Sequence, residues 1–249
     1  MMKEEQKGHD YPKNMTWLLF VDELRGFAVS AVMITMWVGL PVMGLAMYFL
    51  LPDAMPVDSF GPGKFSMPSS AFLSVSISSI AGTLAAAMVS IEIVNEKNKK
   101  VYDLFLIRPV HRGSFLWAKF FAVAFCTSVA VLLAMLSGLL LDWLRGVAIG
   151  PLMLESIVNS TLSAIGVVLV STAAGILIGM ISRTVLLAAM LVVFVLQYVF
   201  LVPALGAFLP IFAQVFPVDW IKVVIYGITL ILSVALMTAA SLIFKRMEA

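Results

Sequence analysis

Six predominantly apolar runs, each between 18 and 30 residues long, divide this chain. The hydrocarbon core of a bilayer asks for about 20 such residues per helix. The runs fall at residues 27–51, 68–91, 115–141, 152–181, 185–202 and 221–244. Backbone N–H and C=O groups find no water in that core, so runs of this kind bond internally as helices. The pattern predicts an all-α, polytopic membrane bundle of six transmembrane helices, a single transmembrane domain over residues 1–249. Composition agrees: 12% of the residues are charged, about half the share in a soluble domain.

Charge distribution sets the expected orientation. Cytoplasmic connections carry the excess of Lys and Arg. With the N-terminus inside, the inner segments hold Lys3, Lys7, Lys13, Arg25, Lys97, Lys99, Lys100, Arg108, Arg112, Lys119, Arg183, Lys245 and Arg246, against Lys64, Arg145 and Lys222 outside. Both termini are therefore expected in the cytoplasm, with the chain in the plasma (inner) membrane.

Two segments between or before the runs carry their own patterns. In residues 14–27, Trp17, Phe20, Val21, Leu24 and Phe27 recur at helical spacing, and Asp22, Glu23 and Arg25 fall mostly on the other side. That reads as an interfacial helix within a cytoplasmic N-terminus of residues 1–26, with Trp17 as aromatic anchor and lipid as its neighbour. Residues 203–219 are apolar but broken by Pro203, Pro210 and Pro217. Such a stretch is too interrupted to cross, and the expectation is an extracellular re-entrant segment of broken helices.

Charge is most concentrated in the connection at residues 92–114, which includes Glu96, Lys97, Lys99 and Lys100. Val101, Leu104, Phe105 and Arg108 follow at i, i+3, i+4 and i+7, one face of a short helix. Pro109 disfavours helix at Arg108. Gly113 and Ser114 read as a turn, with Ser114 as N-cap of the next span. The lysines would hold this connection inside, and its apolar face suits docking to a cytoplasmic protein.

The motifs of several function classes are missing. "GPGKF" at residues 61–65 lacks both the first glycine and the Ser/Thr of a phosphate-binding loop. Neither a His-Glu-x-x-His helix nor a Gly-x-Ser-x-Gly elbow occurs. No enzymatic activity and no bound cofactor are expected of this chain. Cys126 is the only cysteine, and His9 and His111 have no ligand spacing, so no metal site is expected. Met33, Met36, Met43 and Met47 share one side of the first run. Thioethers select Cu(I), but flexible core filling is their ordinary use. Lys119, Asp142 and Glu155 stand near run ends, where a long side chain snorkels to water. Gly175 and Gly179 form a small-xxx-small surface for close helix packing. Gln197 and Tyr198 are polar groups in the fifth run, suited to interhelical hydrogen bonds or a substrate path.

Glu96, Lys97, Asp103, Leu104, Pro109, Val110, Arg112 and Lys119, with the six runs around them, resemble the ABC-2 family of transporter permeases. The likeness in architecture covers the whole chain. The family often has a glycine after the acidic–basic pair, where this chain has Lys99 and Lys100. The resemblance implies the membrane subunit of an ATP-driven transporter, usually an exporter. Two permeases, identical or homologous, would pair with two cytoplasmic ATPase subunits holding ATP and Mg. A coupling helix near residues 101–108 would dock the ATPase, with Glu96, Lys97, Lys100, Val101, Asp103, Leu104, Phe105 and Arg108 in that region. The first and fifth spans would line the substrate route. Nucleic acid is not an expected partner. The alternatives are a non-transporting membrane assembly factor and a membrane-embedded lipid-modifying enzyme.

Overall fold

The computed structural model describes residues 15–50, 69–99, 112–144, 151–199 and 218–246. Among the described residues there are seven helices and no strand. They are α1 (Met15–Val29), α2 (Ala31–Leu50), α3 (Ser69–Asn98), α4 (Arg112–Leu144), α5 (Pro151–Ile181), α6 (Val185–Val199) and α7 (Val218–Arg246). Four of them contain stretches long and apolar enough to cross a membrane: Ser76–Asn98, Ser114–Leu140, Ile157–Ile181 and Val223–Phe244. α1 and α2 supply a fifth if that bent pair is one span. The chain is an all-helical, multi-pass membrane protein with four to five such segments. The 15 described residues of α6 reach only about 22 Å at 1.5 Å per residue. Residues 203–217, where the broken segment is expected, lie outside the described residues; Val218 and Asp219 already belong to α7.

Ser30 divides the first apolar run in two. Its hydroxyl donates to the Phe27 carbonyl at 2.7 Å and accepts the Met33 N–H at 3.2 Å. The second bond is an N-cap for α2. The two helices meet at 61°, so the continuous helix expected over 27–51 is replaced by α1, a bend, and α2. On α1, Phe27 is buried and Phe20 and Leu24 pack against the core, while Trp17 is 64% exposed.

α3 runs seven residues beyond the apolar pattern, through Asn98. No Gly or Pro interrupts residues 92–98, and Glu92 and Glu96 find a cation there. α4 starts at Arg112, so Gly113 and Ser114 open the helix instead of forming a turn before it. The first four N–H groups of a helix need no acceptor within it, so glycine there costs little.

α5 sits at the centre: 78% of its apolar stretch is buried, against 22% for α7. α5 packs chiefly against α3 and also against α7, while α4 packs against α1, α2 and α3. The α3–α5 seam is built from small residues. A Cβ placed on Gly175 would stand 2.6 Å from Ala86 Cα, and one on Gly179 would stand 3.0 Å from Ser90 Cα. Glycine here lets two backbones touch. The hydroxyls of Ser90, Ser171 and Thr172 donate to carbonyls of their own helices, so packing holds the seam. Met33 and Met36 are buried in the apolar core, which is the filling role. Isolated large apolar side chains such as Val223, Ile231 and Phe194 face outward, as helices in lipid allow.

Candidate functional site

Three helices each contribute an i, i+4 pair to one charged node. α1 brings Glu23 and Phe27, α3 brings Glu92 and Glu96, and α4 brings Phe115 and Lys119. Residues four apart lie on one helix face, one above the other. Three such faces meet where α3 ends and α4 begins.

Lys119 is the centre of the node and is fully buried. Its Nζ donates to Glu96 Oε1 at 2.7 Å and to Glu92 Oε1 at 2.9 Å, and Glu23 Oε2 stands 3.8 Å away. The Phe115 and Phe27 rings lie 5.2 and 5.6 Å from the ammonium, within cation–π range. The expectation that Lys119 snorkels to water is therefore corrected. Three carboxyl groups within reach offset its desolvation, and two aromatic rings close the remaining approach. Glu23, expected on the outward polar face of α1, turns inward instead. It lies three residues after Phe20 and four before Phe27, on the helix face that packs inward.

A second cation ties the end of α3 to α5. Lys97 Nζ donates to the carbonyls of Met180 and Ser182 at 2.9 and 3.0 Å. Both carbonyls lie at the C-terminal end of α5, where the last C=O groups lack partners within the helix.

Adjacent to the node is a cleft of about 790 Å³ between α1 and α3. Glu23 and Glu92 line it while also approaching Lys119, and Asp22, Arg25 and Ser30 line it too. The node itself offers no accessible nucleophile, since Lys119 is sealed. What it can do is bind α1, α3 and α4 into one mechanical unit.

The residues expected in the coupling region divide by position. Glu96 and Lys97 stand on the last turns of α3, and both hold other helices. Lys100, Val101, Asp103, Leu104, Phe105 and Arg108 lie outside the described residues. Gln197 and Tyr198 sit on the last described turn of α6, and their side chains lie outside the described residues. Gly175 and Gly179 face α3 within the chain. Sequence reasoning missed Glu23 and Glu92 as partners of Lys119. One signal was available: Glu92 and Glu96 form a like-charge i, i+4 pair, which is unfavourable without a shared cation.

Neither the known protein-family models nor the curated proteins contain a match to this chain.

Proposed function

We propose that the chain is the permease subunit of an ABC-2 type transporter, an exporter driven by separate cytoplasmic ATPases. In this reading α1 is the interfacial helix. α2, α3, α4, α5, α6 and α7 are six spans, with both termini cytoplasmic in the plasma (inner) membrane. Two permease copies, or a copy and a homologue, pair with two ATPase subunits that bind ATP and Mg. The 99–111 connection between α3 and α4 contains the coupling helix, and its Val101, Leu104 and Phe105 face enters the ATPase.

The observation that carries this reading is the Lys119 node. It joins the two helices that flank the 99–111 connection, and it joins both to α1. A push delivered to the connection would be carried into α3 and α4 together and passed to α1. Lys97 extends the same end of α3 to the central helix α5. A node of this kind suits rigid-body transmission, because packed elements shift between discrete arrangements and deform little.

The test is co-purification with the ATPase encoded beside it. Leu104→Asp with Phe105→Asp is expected to abolish the association while membrane insertion and thermal stability stay unchanged. Undiminished association of the double variant would overturn the coupling-helix assignment.

A further inference from the structure

The cleft between α1 and α3 has two electrostatically distinct ends. On one side stand carboxylates. Glu92 has 36% of its side chain exposed, and only its Oε1 is engaged by Lys119; Glu23 is 19% exposed. Asp22 lines the same cleft and makes no ion pair among the described residues. On the other side stand Arg25 and Ser30. Arg25 is exposed and likewise has no ion-pair partner among the described residues. Ser30 caps α2, so the first-turn N–H groups of a 20-residue helix start at this bend. Those N–H groups and the helix dipole favour an anion.

The cleft also has the position and walls of a lipid site. Val29 and Met88 line it, and Val29 is 71% exposed. It lies at the 61° bend between α1 and α2. Glu92 is six residues from the end of its apolar stretch, about 9 Å along the helix. That is the depth at which headgroups meet acyl chains. The volume of about 790 Å³ lies within the roughly 300–1,000 Å³ range of small-ligand sites.

We propose that this cleft binds the headgroup of an aminophospholipid, with its primary ammonium on Glu92, Glu23 and Asp22 and its phosphate at Arg25 and the α2 N-terminus. The carboxylates outnumber the cations beside them, so an ammonium with N–H donors is the complement they lack. A trimethylated ammonium cannot donate those bonds, and a headgroup without an amine leaves the carboxylate end unmatched. Val29 and Met88 carry the start of the acyl chains. The proposal does not depend on the permease reading.

The test uses the full chain, purified and incubated with equimolar phosphatidylethanolamine, phosphatidylcholine and phosphatidylglycerol, with retained lipid read by native mass spectrometry. Phosphatidylethanolamine should be retained at least about threefold over each of the others, a modest free-energy preference. Arg25→Gln and Asp22→Asn alter exposed side chains outside the Lys119 node, so both variants should fold. Each should bring the ratio to about one. Equal retention of the three lipids, a preference for phosphatidylglycerol, or an unchanged ratio in both variants would overturn the proposal. Soluble glycerophosphoethanolamine at millimolar concentration should fail to displace the bound lipid; displacement would overturn a membrane lipid as the occupant.

Discussion

α3 is held in two opposite ways along its length. Its middle lies against α5 through Ala86, Ser90, Gly175 and Gly179, a seam without charge and nearly without side chains. Its end lies against α1 and α4 through one fully buried ammonium and three carboxyl groups. The seam depends on the absence of atoms and the node on the presence of a charge. Added volume should therefore damage the first, and removed charge should damage the second. The contrast also suits a helix that must stay fixed at its centre while its end passes on a movement.

The largest expected effect is at the node. Lys119→Met should cost about 3–5 kcal/mol, because it leaves carboxylates buried without their cation. Thermal unfolding in detergent would measure it; a variant as stable as the parent would place the node's energy elsewhere. At the seam, Gly175→Ala drives a methyl into Ala86 backbone at 2.6 Å. The cost of such overpacking is about 1–3 kcal/mol. Gly179→Ala, with its nearest atoms at 3.0 Å, should lie at the low end of that about 1–3 kcal/mol range. Equal costs at both glycines would show that the two helices relax apart as a unit. The smallest effect belongs to Gly227 on α7, where an added Cβ meets nothing within 4 Å. Gly227→Ala should leave the melting temperature unchanged or raise it slightly, since alanine favours helix by up to about 1 kcal/mol.

The seam was legible in the sequence and the node was not, for a physical reason. Gly175 and Gly179 are four apart in one apolar run, and small-xxx-small spacing is itself the packing signal. The long helices were legible too, because α3, α4, α5 and α7 each fill an apolar run. The node needs Glu23, Glu92, Glu96 and Lys119 to meet from three helices. Hydrophobic periodicity reports which face of one helix is apolar, not how two helices slide against each other. Lys119 looked like a snorkelling residue near a helix end because its partners stand 23 and 27 positions away along the chain. The break at Ser30 was hidden for a different reason. Neither Gly nor Pro marks it, and only the serine hydroxyl, bonded to Phe27 and Met33, turns the chain there.

The most direct test of the node compares Lys119→Met with a triple variant that also carries Glu92→Gln and Glu96→Gln. Replacing every member of a buried ionic group is often neutral, whereas removing one partner alone is costly. The melting temperature should fall for the single variant and recover most of the way in the triple variant. No loss in the single variant, or no recovery in the triple, would contradict a charge-matched node that joins α1, α3 and α4.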